Sequence, residues 1–351
     1  MSASRDAIAQ LAFMVGPPNV CAVFKQEASD FCVTEDLGFE LTGEGEHHCF
    51  QIRKTGVTTQ QVVKQLAHVA QVREHDVGYA GLKDRMGVCV QWLSVYQPHK
   101  QTIDTSSLET MGVEILQRVR NSRKLRRGSH KSNGFVIRLR DVGAESHPEL
   151  EERLQRIAQY GVPNYFGEQR FGHNNANVDM AKKLFSGEIR LRKGFKKGML
   201  LSAARSFVFN EVLSQRVASK CWNTYVLGDV MNLAGTESVF IPESWDATLA
   251  ARLESADIHP TGPMWGKGEL RSSADTRTLE ESIATQHQEL CVGLENAGLT
   301  QARRSLRLEV SDMGWEFLQN DDVEVRFALP PGAYATSVLR EVCVLKEAID
   351  K

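Results

Sequence analysis

Short runs of alternating or apolar residues fill the first third of the chain, a pattern typical of β-strands. We predict five strands there, beginning near Val20, Asp30, His47, Val77 and Val88. Between the third and fourth strands, residues 58–72 place Val62, Val63, Leu66 and Val69 on one face at helical spacing, with Thr58 or Thr59 as the N-cap. The start of the chain is therefore predicted to combine strands with one amphipathic helix.

Two further strands are predicted from Val113 and from Phe135, and we expect them to pair, with a basic hairpin or loop between them. From about Gly161 the pattern becomes helical, which indicates a second domain. The Gly- and Ser-containing stretch 259–273 is predicted to be a loop. After about Arg307 a strand and a helix capped near Thr336 or Ser337 follow, so the tail is expected to rejoin the first domain and the middle to be an insertion.

Length and composition favour an ordinary two-domain protein. A chain of 351 residues exceeds the usual size of one hydrophobic core. With 42% hydrophobic and 25% charged residues, no stretch is apolar enough to span a membrane, and the N-terminus lacks the pattern of a secretion signal. The seven cysteines are scattered without the spacing of zinc sites. We expect a cytoplasmic protein with reduced thiols, no metal and no membrane association.

Charge is distributed unevenly along the chain. The net charge is −2, but residues 118–140 contain nine Lys and Arg residues and no acid, so the rest of the chain carries −11. Charge runs are usually solvated surfaces, whereas a long acid-free basic run is also the pattern that binds phosphates.

One segment combines groups that could perform chemistry. In Gly78–Gly87 a strand ends in the cluster Lys83, Asp84 and Arg85. The two neighbouring cations would keep the Asp84 carboxylate ionised, as a nucleophile or base requires. On this triplet alone a solvated turn is the better interpretation.

Four segments in order, AGLKDRMGVCVQW, PNYFGEQRFG, LSAARSFVFNEVLSQR and LPPGAYATSVLRE, resemble the signature segments of the TruD family of tRNA pseudouridine synthases. The likeness extends over nearly the whole chain. It implies an α+β fold: a catalytic domain of residues 1–160 plus 306–351 on a curved, mixed and mainly antiparallel sheet, interrupted by an inserted α/β domain of residues 161–305 that is specific to the family.

The resemblance also implies an activity, the isomerisation of uridine 13 in the D-arm of tRNA to pseudouridine. Asp84 stands at the catalytic aspartate's position, where a carboxylate would attack C1′ or accept a proton while the detached uracil turns. Bonds are exchanged within one nucleotide, so no cofactor is expected. We expect a monomer with tRNA as its partner.

Further site residues follow from the same resemblance. Lys25 would be the charge partner of Asp84, and Phe31, Asn133, Phe135 and Tyr334 would contact the substrate. Relatives carry Phe where this chain has Tyr334. Without the resemblance, Phe31 and Phe135 are ordinary core residues and Asn133 an ordinary turn residue.

We expect the RNA backbone to bind the basic stretch, supplemented by a second basic run from Arg190 to Lys197. The expected phosphate-binding residues of the first stretch are Arg118, Arg120, Arg123, Lys124, Arg126, Arg127 and Lys131.

The sequence is also compatible with three other functions. A catalytically silent tRNA-binding protein would use the same basic residues, with Asp84 only ending a strand. A nucleobase glycosylase would release uracil rather than reattach it. A metal-dependent nuclease is the least favoured, because Asp84 has no clustered carboxylates in its segment.

Overall fold

The computed structural model describes residues 11–98 and 103–347. They form two compact units. The first, which we call the sheet unit, comprises residues 19–158, 310–335 and 342–347 among those described; the second, the helix-rich unit, comprises 11–18, 159–309 and 336–341.

The N-terminal part of the sheet unit contains most strands of one large sheet. Its first elements are β1 Cys21–Phe24, β2 Phe31–Asp36, β3 His47–Lys54, α1 Thr59–Val69, β4 Val77–Tyr79, β5 Val88–Tyr96, α2 Ser106–Glu109, β6 Val113–Asn121, β7 Ser132–Arg140 and α3 His147–Tyr160. The five early strands and the helix α1 predicted from the sequence are all present.

The helix-rich unit follows. Its elements are β8 Val162–Pro163, α4 Ala176–Phe185, α5 Phe195–Ala218, β9 Met231–Leu233, β10 Val239–Phe240, α6 Ala247–Glu254, β11 Ile258–Met264, α7 Ala274–Gln286, α8 Gln288–Asn296, β12 Ala302–Ser305 and β13 Arg307–Leu308.

The last elements are β14 Ser311–Phe317, β15 Val323–Leu329, α9 Ala335–Val342 and β16 Val344–Glu347. Strand β15 pairs with β7, and β16 pairs with β1, so the C-terminal strands join the sheet of the N-terminal ones.

The large sheet is mixed and mainly antiparallel, in the order β14-β15-β7-β2-β5-β3-β6. Only β1 with β16 and β2 with β5 are parallel pairs among the described strands. Strands β6 and β7 do not pair, so the expectation of a basic hairpin between paired strands was wrong. Strand β6 pairs along its whole length with β3, and β7 lies between β2 and β15. The connection 122–131 therefore joins two strands that are separated in the sheet by β3, β5 and β2.

Two other local predictions were wrong, the first of them in part. Residues 265–273 lie outside the named helices and strands, as predicted, but 259–264 belong to β11, which pairs with β9 at Ile258–Pro260 and with β12 from Thr261 onward. The loop was predicted from the glycines and serines of the stretch, but each half of the strand bonds to a neighbour on one side, which a strand with proline tolerates. Helix α9 begins at Ala335, so Thr336 and Ser337 lie inside it rather than capping it, and the Ser337 hydroxyl donates to the Tyr165 carbonyl.

Helix α1 forms as its sequence predicts. The Thr58 hydroxyl accepts from the Gln61 amide, and the Gln61 side chain accepts from the Thr58 amide, a capping box that satisfies two free donors at the helix start. Val62, Val63 and Leu66 are buried in a core cluster with side chains of β3, β4 and β5. This packing holds α1 against β4 and β5, the two strands that the segment containing Asp84 connects.

Candidate active site

The segment Gly81–Gly87 connects the antiparallel strands β4 and β5 and carries Asp84. Lys54 holds the backbone of this segment: its Nζ donates to the carbonyl oxygens of Asp84 at 2.5 Å and Val57 at 2.9 Å. Lys54 is fully buried, and this burial lowers the pKa of its ammonium. On the other side, Arg85 and Gly56 exchange two hydrogen bonds. The backbone at residues 84 and 85 is therefore anchored.

The carboxylate of Asp84 meets Lys25, which follows β1. Lys25 Nζ donates to Asp84 Oδ2 at 2.7 Å, and the two side chains are 23% and 46% exposed. Lys25 has a left-handed backbone with φ of 57°, a conformation that costs a non-glycine residue about 1–2 kcal/mol. Its ammonium also lies 3.9 Å from the centre of the Phe31 ring. Lys25 is thus held in an unusual conformation that places its charge on Asp84.

The cations next to Asp84 in sequence point elsewhere. Lys83 Nζ lies 2.8 Å from Glu35 Oε2 and 2.6 Å from Asn133 Oδ1, while the Arg85 guanidinium donates to the Gly56 carbonyl. The interpretation of Asp84 as a carboxylate between Lys83 and Arg85 was therefore wrong. Adjacent residues of an extended segment point to opposite sides, and the partner of Asp84 comes from a different strand.

Lys83 and Glu35 form a buried pair, with side chains 5% and 0% exposed. The second oxygen of Glu35 accepts the backbone amide of Trp92 at 3.1 Å, so both carboxylate oxygens have a positive or donor partner. Lys83 in turn holds the Asn133 amide oxygen. The ion pair fixes the position of the amide that the resemblance assigns to the substrate.

Asn133 is also fixed from its other end. Its Nδ2 lies 3.1 Å from His130 Nε2 and donates to that nitrogen when the neutral ring carries its proton on Nδ1. Burial, followed by the positive charge of Lys83, lowers the pKa of His130, so the neutral ring is favoured. Glu35, Lys83, Asn133 and His130 form one continuous polar network, which we call the buried network.

Aromatic rings lie beside these polar groups. Phe31 and Phe135 are buried, with ring centres 6.0 Å apart, and Phe135 stacks on Phe327 at 5.3 Å. Phe31 also borders the Asp84 segment, because a Cβ at Gly87 would lie 2.7 Å from the Phe31 carbonyl oxygen. Among the described residues, no ring contact or hydrogen bond joins the exposed Tyr334 to Asp84, Lys25 or either phenylalanine.

The predicted phosphate-binding residues are partly engaged within the protein. Arg118 and Arg120 lie on the edge strand β6, where they donate to backbone carbonyls. Arg127 donates to the Tyr79 hydroxyl and lies over its ring, while Lys124 donates to the His75 carbonyl. These last contacts border a surface hollow of about 530 Å³. Arg123, Arg126 and Lys131 are exposed.

Sequence reasoning missed several residues of this site. Leu82 and Met86 flank Asp84, and both side chains are more than 60% exposed. Glu35 and His130 were not predicted either. Glu35 did carry a signal, since it occupies the inward face of β2 with Phe31 and Val33, where an acid requires a buried partner.

Two properties concern the described residues as a whole. No group of three or more His, Cys, Asp or Glu side chains within residues 11–98 and 103–347 has the arrangement of a metal site. In the same residues, no helix has the length and apolar character needed to cross a bilayer.

The chain matches the family model described as tRNA pseudouridine synthase D (TruD) over residues 8–195 and 190–342. A tRNA pseudouridine synthase D of Hydrogenovibrio crunogenus is 42% identical over 340 residues, covering 97% of this chain and 98% of the relative. The same-named protein of Colwellia psychrerythraea is 43% identical over 340 residues, with 94% and 92% covered.

The fold has a solved counterpart. The crystal structure of a putative tRNA pseudouridine synthase D from Methanosarcina mazei superposes with a TM-score of 0.77 at 20% identity, covering 97% of this chain and 98% of that one. The α+β fold expected from the resemblance is confirmed. With a family model and full-length relatives above 40% identity in agreement, this chain belongs to the TruD family of tRNA pseudouridine synthases.

Proposed function

We propose that this protein converts a uridine of tRNA to pseudouridine and that Asp84 is the carboxylate that acts on the nucleotide. The observation that carries the proposal is the ion pair of Lys25 and Asp84, which is short but open to solvent. Such a pair contributes little to stability, so the left-handed backbone that Lys25 adopts to form it favours a role with a ligand. The names of the relatives support the class of reaction.

The reaction exchanges one bond for another within a single nucleotide. The bond from N1 to C1′ breaks, a bond from C5 to C1′ forms, C5 loses a proton and N1 gains one. In one route Asp84 attacks C1′ to give a ribosyl ester, which C5 of the detached uracil then displaces. In the other, Asp84 accepts a proton while the uracil turns. Neither route changes the oxidation state, so we propose that no cofactor takes part.

The neighbouring side chains suit the handling of uracil. Lys25 orients the carboxylate of Asp84, and its contact with Phe31 limits its movement. The Asn133 amide oxygen accepts from Lys83, and one amide hydrogen donates to His130 when Nε2 of that ring is unprotonated, so the other amide hydrogen can donate to a uracil carbonyl. Phe31 and Phe135 offer ring faces or edges to the base, and the resemblance adds Tyr334.

Base chemistry requires the uridine to leave its stack. The exposed apolar side chains of Leu82 and Met86, on either side of Asp84, are placed to contact nucleotides next to an extracted base. The phosphates would bind Arg118, Arg120, Arg123, Lys124, Arg126, Arg127 and Lys131.

The finer assignments follow from the family. We propose that the target is uridine 13 in the D-arm, that residues 1–160 and 306–351 form the catalytic domain, and that 161–305 are the inserted domain. We also propose that the protein acts as a monomer in the cytoplasm. The observed units differ from this division at their edges, since residues 11–18 and 336–341 cluster with the helix-rich unit.

The proposal is tested with purified protein and unmodified tRNA labelled with tritium at uridine C5, without added cofactor. Isomerisation releases tritium from C5 and leaves pseudouridine at one mapped position, with no free uracil. Free uracil would identify a glycosylase. Binding of tRNA without tritium release, across a set of different tRNAs, would identify a silent RNA-binding protein and refute the proposal.

A further inference from the structure

The most exposed large apolar side chain in the described part of the protein is Phe195, the first residue of helix α5. It is 90% exposed, whereas the next is Met86 at 63%. Isolated exposed apolar side chains need no explanation, but a nearly bare phenylalanine gains nothing from folding. Phe195 is informative because cations that form no ion pair among the described residues lie on both sides of it in the sequence.

Positive charge is concentrated around Phe195 without counterions. The segment around Phe195 contains Arg190, Arg192, Lys193, Lys196 and Lys197, and residues 189–210 include no acid. None of these five cations forms an ion pair with a described residue, although the same unit contains the pairs Lys182–Glu289 and Arg216–Asp229. The positive charge is therefore available to a partner.

The charge is also unfavourable for the helix that carries it. The start of a helix has a partial positive charge, which acids stabilise and lysines destabilise. The first turns of α1, α6 and α9 also lack an acid but contain no lysine, and those of α3, α4, α7 and α8 contain an acid, whereas the first turn of α5 has no acid and contains Lys196 and Lys197. An anion bound there would relieve this repulsion.

We propose that Phe195 binds an unpaired nucleotide of the RNA substrate, with its ring stacked on the base and the flanking cations on the adjacent phosphates. The inference rests on the proposed function, since it takes the RNA as the partner. Only a base that lacks a stacking neighbour offers a free face, so the partner is a loop or bulge rather than a paired stem. Because every base has such a face, the contact is tolerant of sequence.

The charge and shape of the surface favour RNA over other anionic partners. An acidic peptide would neutralise the lysines but offers no regular flat face to a phenylalanine. A nucleotide supplies both the anion and the flat face within one unit, as in other surfaces that combine an aromatic residue with a basic groove. The cations on both sides of Phe195 in sequence match a strand that passes across the ring.

The test compares Phe195→Ala with Phe195→Trp and with Leu227→Ala, a change at another exposed apolar residue of the same unit. We expect Phe195→Ala to weaken tRNA binding by about 5- to 20-fold and to raise KM without changing kcat, because one stacking contact is lost. Phe195→Trp restores the affinity, and Leu227→Ala changes nothing. The midpoint of urea unfolding stays at the wild-type value in all three.

Two further measurements distinguish stacking from charge. Lys196→Gln with Lys197→Gln should lower the slope of log Kd against log salt by up to about two, whereas Phe195→Ala should leave the slope unchanged. A photoreactive phenylalanine derivative at position 195 should cross-link to an unpaired nucleotide. A cross-link to a paired stem, or equal binding by Phe195→Ala and the wild type, would overturn the inference.

Different results would refute the proposed function and the stacking contact of Phe195. A wild-type protein that releases no tritium and binds no tRNA would refute the proposed function together with the inference. A wild-type protein that modifies tRNA, alongside a Phe195→Ala variant with wild-type KM and affinity, would refute only the stacking contact.

Discussion

Lys83 and Asp84 are neighbours in the chain but belong to two ion pairs with opposite surroundings. Asp84 pairs with Lys25, and both side chains are accessible to solvent. Lys83 pairs with Glu35, and both are buried. Each pair has one partner near the first strands of the sheet unit and one in the segment between β4 and β5. The same segment therefore supplies an open pair and a buried pair.

Because the two pairs differ in burial, they differ in their contribution to stability and in their access to a ligand. An exposed ion pair contributes about 0–1 kcal/mol to stability, so the Lys25–Asp84 pair adds little to folding. Removing one partner of a buried pair costs about 3–5 kcal/mol, because the remaining charge has no water to solvate it. The open carboxylate can react with a ligand, whereas the buried one holds Lys83, and through it Asn133, in place.

The largest effect that separates the pairs is expected for Lys83→Met. It leaves Glu35 charged, buried and without its cation, so the free energy of unfolding should fall by about 3–5 kcal/mol in urea titrations. The double variant Lys83→Met with Glu35→Gln should recover part of this loss, since neither charge then remains. A double variant as unstable as the sum of both single variants would contradict the assignment of a coupled buried pair.

Neutralising the exposed basic connection should change binding without affecting either pair. Replacing Arg123, Lys124, Arg126 and Arg127 by Gln removes up to four phosphate contacts, so the slope of log Kd against log salt should fall by up to about 3–4. At low salt the affinity for tRNA should fall by roughly 10- to 100-fold, and kcat at saturating tRNA should be retained. Unchanged affinity and slope would place the RNA path elsewhere.

Lys25→Met tests the open pair from the side of the cation. A hydrogen bond to a charged group contributes about 1.5–3 kcal/mol, so kcat should fall by about 10- to 100-fold while the midpoint of unfolding stays nearly constant. Arg53→Met is the matched control, because Arg53 and Glu114 form another exposed pair in the same sheet at 2.6 Å. A similar loss of kcat in both variants would remove the distinction.

The smallest effect concerns pH and the buried network. Burial and Lys83 lower the pKa of His130 from its ordinary value of 6.5. As pH falls below 6.5, the unfolded chain binds a proton at His130 that the folded protein does not, so stability decreases until the pH reaches the lowered pKa. The contribution is constant above pH 6.5.

His130→Gln should therefore show a smaller loss of unfolding free energy between pH 7 and pH 5 than the wild type, in urea titrations at each pH. Glutamine does not titrate, but it keeps a group that can bond to Asn133. The same pH dependence in both proteins would show that His130 titrates alike in the folded and unfolded states.

Local structure was predictable where the chain itself contains the cause. The capping box at Thr58 and Gln61 and the apolar face of α1 determine that helix without help from distant residues. Phe135, Ile137 and Leu139, which alternate along the sequence, likewise form the buried face of β7. The resemblance added the family, which full-length relatives confirm.

Long-range pairing was not predictable. Nothing near Asp84 in the sequence indicates that its cation comes from Lys25, whose left-handed backbone is visible only in the fold. The strand order separates β6, which pairs with β3, from β7, which pairs with β2 and β15. The buried network escaped detection because its members, Glu35, Lys83, Asn133 and His130, are dispersed along the chain.

The central claim is that the open carboxylate of Asp84 performs the chemistry. The most direct test is single-turnover tritium release by Asp84→Asn, with the enzyme in saturating excess over C5-labelled tRNA and Kd measured on the same preparation. Glu114→Gln, which neutralises the acid of the other exposed pair, is the control. We predict a rate at least about 10³-fold below the wild type for Asp84→Asn, with Kd and the midpoint of unfolding retained and the control fully active. Release by Asp84→Asn within tenfold of the wild-type rate would contradict the account.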